Sequence, residues 1–410
     1  MGLLSSFIPV LAARQMNRKH NHIKRSMFEV VQTRNTILCG GNDVIRNRNG
    51  EQVLSIAGEL KMETFYHAAE TAEHENRNAI CFFDPNYLVT INLSELNLVQ
   101  EPVIFGVNTI YSPLSVLDAR ISDADISSFF ERIVRDYFQT NQNDYYAVMG
   151  AINMIVNILS ESGQEYITIE NISSITMDLL TYDEREFINR VERKTGRGFS
   201  DRWFHYLTLD WKDIQIKFGV FWSAFEQSLG KYSNPNAQIR ESLYSIFTRP
   251  NSGNICYCAI SSSDSLLKSI VMSEMEMIYG YIDYFQIIDY HVALPFRENN
   301  YFLSTIDMCL IGNSLRELGI ENMIYNAPTF ICLGVNGMDA RNILESLVTT
   351  GNWIRVTGGF GYMPHRMATG ITMAERTAIT ENDLSIMRIR DGSALCIDAN
   401  GYTFIDGLFI

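Results

Sequence analysis

The alternation of apolar and polar positions changes character twice along the chain. Between residues 27 and 107 apolar residues come in short β-prone runs divided by turn residues. Phe28–Gln32, Thr36–Cys39, Val44–Arg46 and Gln52–Ile56 read as strands, the last two joined at Asn49-Gly50, a hairpin dipeptide. Gly58–Arg77 has helical spacing. Ile80–Phe83 and Leu88–Leu93 flank Asp84-Pro85-Asn86, a type I turn sequence, and Val103–Val107 is a further strand.

From Ser122 the period becomes helical. Ile126, Phe129, Phe130, Ile133, Val134 and Tyr137 share one face, and Asp123 and Asp125 fall in the first turn, where a helix dipole favours anions. Asn143–Leu159 is apolar on nearly every side, with Gly150, Asn153 and Asn157 as a narrow polar stripe. It is too short to cross a membrane, since 17 residues reach only about 25 Å. The spacing therefore predicts a buried core helix whose two amides are satisfied within the core, ahead of the alternative that the stripe meets another backbone or a partner subunit.

Thr181-x-x-Glu184 predicts a capping box opening a helix that ends at Gly196. The aromatic stretch from Phe199 to Leu229 puts Phe218, Phe221, Trp222, Phe225 and Leu229 on one helical stripe. Few basic residues accompany the rings, so core packing is expected ahead of a base-stacking platform. Asn236–Phe247 and Asp264–Tyr279 read as helices around a strand at Ile255–Ile260. Met272, Met275 and Met277 read as core filling, and Asn300–Leu318 as a helix closed by Gly319.

Beyond residue 326 the two patterns mix. Thr329–Val335 is a buried-strand run, followed by a turn at Asn336-Gly337, a helix at Asp339–Leu347 and a strand at Trp353–Val356. A glycine loop at Gly358–Gly361 follows, and Leu395–Asp398 and Tyr402–Ile405 form a hairpin around Asn400-Gly401. The fold expected is α+β: a β-rich N-terminal part, a helical central core and a mixed α/β C-terminal part. The corresponding regions are an arm at 1–26, then 27–120, 121–325 and 326–410, tightly interleaved because no linker-like stretch separates them.

Charge changes this picture. Of 410 residues only 20% are charged, and a low-charge surface is easily covered by neighbouring subunits. The net charge of −14 argues against a general nucleic-acid binder. It is uneven: Arg14, Arg18, Lys19, Lys24 and Arg25 give residues 1–28 a charge of +5 and leave −19 for the rest. The apolar start precedes these charges, the reverse of a secretory signal. Gly2 and Ser6 match the myristoylation pattern, which with the basic cluster would make a two-signal membrane anchor. The rival is an arm docked on a neighbouring subunit with its basic half offered to nucleic acid. The seven cysteines include no CxxC pair and read as reduced thiols in an intracellular compartment.

Candidate chemistry is sparse. Glu63, His67, Glu70 and His74 form one helical stripe, and His67, Glu70 and His74 are the metal-ligand candidates if a second helix completes the set. The Asn336–Asp339 turn, where a strand hands over to a helix, has the geometry of a phosphate site but neither GxGxxG nor GxxxxGK[ST]. Ser265-x-x-Lys268 and Lys194-Thr195-Gly196 occur in the wrong order for the serine acyltransferases that use both motifs. Asp398-x-Asn400 lacks the glutamate of a calcium loop. No cofactor is implied.

The leading expectation is a structural protein, not an enzyme. Its concrete form is a capsid or capsid-cementing subunit of a non-enveloped virus, for example one with a double-stranded RNA genome, located in the virion. Its partners would be other capsid subunits in a large symmetric complex, with nucleic-acid or membrane contact through the arm. Two alternatives are an enzyme with its site at Asn336–Asp339 or at the His67/His74 stripe, and an N-myristoylated peripheral membrane protein.

Overall fold

The computed structural model describes residues 36–46, 49–84, 101–115, 121–139, 141–162, 167–196, 198, 201–207, 209–232, 237, 239–250, 253–261, 263–279, 281–282, 284–289, 308–314, 329–335, 393–398 and 401–406. The elements in chain order begin with β1 (Thr36–Cys39), β2 (Val44–Arg46), β3 (Gln52–Leu54), α1 (Ile56–His74) and β4 (Asn78–Phe83). There follow β5 (Val103–Ile104), β6 (Thr109–Tyr111), α2 (Asp123–Phe138), α3 (Gln142–Glu161), α4 (Ile169–Thr181) and α5 (Glu184–Thr195). After a 3-10 turn at Asp201–Tyr206 come α6 (Trp211–Gly230), β7 (Ile239–Glu241), α7 (Leu243–Phe247), β8 (Ile255–Ala259) and α8 (Ser265–Tyr279). The last are β9 (Tyr284–Asp289), β10 (Met308–Gly312), β11 (Thr329–Cys332), β12 (Ser393–Asp398) and β13 (Gly401–Asp406). The protein is α+β, with mixed sheets and several helices. It divides into two units, Met1–Glu75 with Cys81–Asn97 and Phe285–Ile410, and Asn76–Ile80 with Leu98–Tyr284.

In the first unit β1 lies between β10 and β11, parallel to both, with Thr36 opposite Cys309 on one side and Thr329 on the other. β9 continues the parallel set beyond β10, and the β12–β13 hairpin closes the other edge antiparallel to β11. Ile37, Leu38 and Cys39 are buried, as are Cys309–Ile311 and Phe330–Cys332. Unbroken apolar runs are what parallel strands covered on both faces require. This corrects the helix expected over Asn300–Leu318: Met308–Gly312 is a strand. So short an apolar run carries no period of its own, and pairing with β1 decides its conformation. The strand at Tyr284–Asp289 has no counterpart in the sequence reading.

The Asn49-Gly50 hairpin forms as expected, with Val44 opposite Leu54 and Gly50 at φ +82°; the C-terminal hairpin forms too, but Gly401 already belongs to β13, opposite Asp398. The expected strands at Phe28–Gln32, Leu88–Leu93 and Trp353–Val356 and the helix at Asp339–Leu347 lie outside the described residues.

The second unit holds α2 to α8. Ser122 caps α2 and exchanges hydrogen bonds with Asp125 in a capping box. α3 is the buried helix the pattern predicts, from Ala147 to Leu159. Its small residue has a steric reason: a Cβ on Gly150 would lie 2.0 Å from the Tyr206 carbonyl oxygen, so the stripe does admit another backbone. Asn153 and Asn157 are half-buried instead of core amides, and the Asn157 Nδ2 donates to the Asn153 carbonyl at 2.7 Å. On α6, Phe218, Phe221, Trp222 and Phe225 are buried, with the Phe225 ring 5.1 Å from Trp222 and 5.8 Å from Phe130. They are core. Met272, Met275 and Met277 are likewise buried on α8.

Two boundaries differ from expectation. α5 is capped by Asp183, whose side chain accepts from the Glu186 amide at 2.9 Å, while Thr181 ends α4. The span Asn236–Phe247 is not one helix. Ile239–Glu241 pairs in parallel with β6, and Ser242 then caps the short α7. Among the described residues no helix is long and apolar enough to cross a membrane.

Candidate functional site

β1 delivers the chain to the carboxyl end of the parallel strands, where α/β sheets place their ligands. The exit turn is tightly built. Gly40 has φ +97°, and a Cβ there would lie 2.2 Å from the Gly334 carbonyl oxygen. The Gly40 amide donates to the Gly312 carbonyl at 2.9 Å, the Gly41 amide to Gly334 at 2.7 Å, and the Leu333 amide to Cys39 at 2.8 Å. The ends of β1, β10 and β11 are thereby tied together.

The β2–β3 hairpin follows, and Ser55 returns the chain to the turn. Its hydroxyl donates to the Asn42 carbonyl and accepts from the Gly58 amide at 3.0 Å, capping α1, while its own amide donates to the Asp43 carbonyl at 2.9 Å. Gly58 lies so close that a Cβ would be 2.3 Å from that same carbonyl oxygen.

Three polar side chains meet here. The Lys61 ammonium, on the buried face of α1, donates to Asp43 Oδ1 at 2.6 Å and to Asn313 Oδ1. The Asn313 amide nitrogen donates to Asp43 Oδ2 at 3.0 Å. Asn313 directly follows β10. Lys61 is 5% exposed and Asp43 4%. β9 brings Asp289, by backbone position opposite Ile311, to the same end of the sheet. A lysine, an amide and a carboxylate at the start of a helix are groups suited to phosphate. The lysine and helix dipole offset negative charge, the amide orients a phosphate oxygen or a water, and a carboxylate can hold a divalent cation.

The sequence reading missed this cluster, although a signal was present. Lys61 stands within the apolar stripe Ala57, Leu60, Phe65, Ala68 and Ala72, where a charge needs a partner. The Asn336–Asp339 turn lies outside the described residues, but β11, which leads towards it, ends beside Gly41.

The His67/His74 stripe runs along α1. His67 is half-buried, with its Nε2 3.5 Å from the Thr71 hydroxyl, and His74 is exposed. Burial lowers the His67 imidazole below its ordinary value, Glu70 opposes this, and His74 adds to it. Among the described residues no three His, Cys, Asp or Glu side chains gather to hold an ion. Lys194 pairs with Asp178 at 2.6 Å, and Gly196 is the left-handed cap of α5, so both have structural roles. Gly2, Arg14, Arg18, Lys19, Lys24 and Arg25 lie outside the described residues. Cys39, Cys81, Cys256, Cys258, Cys309 and Cys332 are buried thiols.

The second unit has its own buried polar centre. Glu274 is fully buried on α8, accepting from the Tyr111 hydroxyl at 2.6 Å and the Leu243 amide at 3.1 Å. Burial pushes its carboxyl up to about 7, against the lowering effect of these donors. Burial and the facing Glu274 push the Tyr111 hydroxyl well above its ordinary value.

No family model matches the chain, and no curated protein matches it in sequence. Solved structures do match. Two are forms of the bacterial conjugative coupling protein TrwBdeltaN70, a trigonal form in complex with sulphate and an unbound monoclinic form. Identities are 9% and 10%, TM-scores 0.53 and 0.54, and each match covers 97% of this chain and 91% of the other. At such identity the likeness is one of fold.

That finding overturns the capsid expectation and its virion setting, because the architecture is shared almost end to end with a coupling protein. The expectation that the chain is not an enzyme falls with it, and the enzyme alternative fits the neighbours better. Low charge misled because a large core lowers the charged fraction as readily as a subunit interface does. Of the partner expectation, the general form of a protein working with other proteins is compatible with these neighbours, whereas capsid subunits are not supported.

Proposed function

We infer that the chain is a nucleotide-dependent enzyme of the conjugative coupling type, binding a nucleoside triphosphate at the carboxyl ends of β1, β10 and β11. The observation that carries this reading is Lys61 in the second turn of α1 beside Asn313, in a fold shared with TrwBdeltaN70. One form of that neighbour is a complex with sulphate, a tetrahedral dianion like phosphate. Lys61 would neutralise the phosphate chain, and Asn313 would orient an oxygen or the attacking water. Positioning and charge neutralisation are the main contributions a protein makes to phosphoryl transfer. Reduced, buried cysteines support a reducing compartment. A conjugative apparatus would supply the protein partners.

The test is ATP binding by calorimetry and phosphate release, on the full chain and on Lys61→Met. Binding and release by the wild type, both lost in a K61M protein that melts like the wild type, is the expected result. A folded wild type with no affinity for ATP would end this reading.

A further inference from the structure

Within that reading, on which this inference rests, we propose that Asp43 is a built-in substitute for phosphate and sets the affinity of the site. Its carboxylate takes the place an anion would take, at the exit of β1, beside the first turn of α1 and against the Lys61 ammonium. Asn313 holds the second carboxylate oxygen at 3.0 Å, so both oxygens are engaged. Lys61 spends two donors on Asp43 and Asn313. A phosphate group reaching Lys61 must displace Asp43 or accept a like charge within contact distance. Like charges so placed are strongly unfavourable in a site this buried.

The backbone supplies a route for displacement. Asp43 directly precedes the β2–β3 hairpin, and the hairpin returns at Ser55, whose amide is bonded to the Asp43 carbonyl. Withdrawing Asp43 moves the hairpin's first residue and loosens that bond. The Gly40 and Gly41 bonds to Gly312 and Gly334 lie upstream and need not change. Asp43 is therefore a specificity-determining residue: only a ligand with enough negative charge to replace it gains Lys61.

The experiment compares wild type, Asp43→Asn and Lys61→Met as full chains, using ATP with magnesium and inorganic triphosphate as probes. Dissociation constants come from calorimetry and folding from thermal melting. The expected result is that D43N binds both probes at least ~10-fold more tightly than the wild type, because the competing charge is gone while an amide still fills the space. K61M should bind neither.

Hydrogen exchange on the wild type gives an independent reading. Saturating ATP should speed exchange across residues 44–55 as the hairpin is released. If D43N folds and binds no more tightly than the wild type, or if ATP leaves or slows hairpin exchange, Asp43 is a structural partner of Lys61 and the proposal is wrong. If no folded variant binds either probe, the nucleotide reading itself has failed. Should D43N melt far below the wild type, the exchange measurement alone decides.

Discussion

Replacing Glu274 by glutamine should remove most of a pH-dependent weakness from the second unit. Glu274 is fully buried, with the Tyr111 hydroxyl and the Leu243 amide donating to its two oxygens. Burial raises the carboxyl from 4.5 to about 7 in the folded protein. In the unfolded chain it keeps its ordinary value. Between those values the folded state holds a proton that the unfolded state has lost, so stability falls as pH rises through that window. Below about 4.5 the contribution is complete, and above about 8 it is gone. At about 1.4 kcal/mol per tenfold change in proton affinity, the difference amounts to roughly 3 kcal/mol. Glutamine imitates the protonated acid. Its oxygen can accept from the Leu243 amide and its nitrogen can donate to the Tyr111 oxygen. Urea unfolding from pH 5 to 8, followed by the fluorescence of Trp203, Trp211 and Trp222, measures the effect in this unit. The stability of E274Q relative to wild type should rise across that range by about 3 kcal/mol. A difference constant to within about 0.5 kcal/mol would show that the carboxyl is not held protonated, and the burial argument would be wrong.

Three further outcomes follow from the packing and the electrostatics. Gly150→Ala gains about 1 kcal/mol of helix propensity but must push the Tyr206 carbonyl from 2.0 Å, so a net loss of roughly 1–3 kcal/mol is expected; an unchanged melting temperature would deny the close approach. Phe225→Ala, between Trp222 and Phe130, should lose about 3–5 kcal/mol in denaturant unfolding, and a loss below about 1 kcal/mol would contradict its place in the core. In an NMR titration the His67 ring should change charge below the ordinary histidine value. Glu70→Gln should lower the midpoint further, since Glu70 opposes the shift; an upward move would reverse the assignment of causes.

What could be read from the chain is what neighbouring residues decide among themselves. Asn49-Gly50 marks its hairpin because Gly50 supplies the left-handed residue of the turn. The helical stripe of Ile126, Phe129, Phe130 and Ile133 needs only a face to bury. Gly196 ends α5 in the left-handed conformation its position requires. The failures are of another kind. Met308–Gly312 has five residues and no period, and becomes a strand because β1 and β9 lie beside it. Thr181 and Asp183 are both good caps two residues apart, and the trailing end of α4 decides between them. The site suffered most, since Lys61 reaches Asp43 across 18 positions but Asn313 meets Asp43 across 270. No local spacing encodes such a meeting. It exists because parallel strands drawn from distant parts of the chain end on the same edge.

The cost of this cluster is itself an argument that it has work to perform. A buried lysine–carboxylate pair seldom stabilises a fold, since desolvating both charges takes back most of the attraction, and an apolar pair of equal volume often does as well or better. Lys61 and Asp43 stand where such a replacement would be simple: the α1 face around Lys61 includes Ala57, Leu60, Phe65 and Ala68, and β10, which packs against α1, buries Cys309, Leu310 and Ile311. Stability alone gives no reason for charges at this one point. Chemistry does, because the carboxyl ends of β1 and β10 and the first turns of α1 present their peptide dipoles and amides there, and an ammonium placed among them favours an anion. The carboxylate of Asp43 meets that demand from within the chain. If the pair were only packing, a Lys61→Met, Asp43→Leu double variant would be as stable as the wild type and equal to it in ATP binding. Equal stability with binding lost is the outcome that a functional cation predicts.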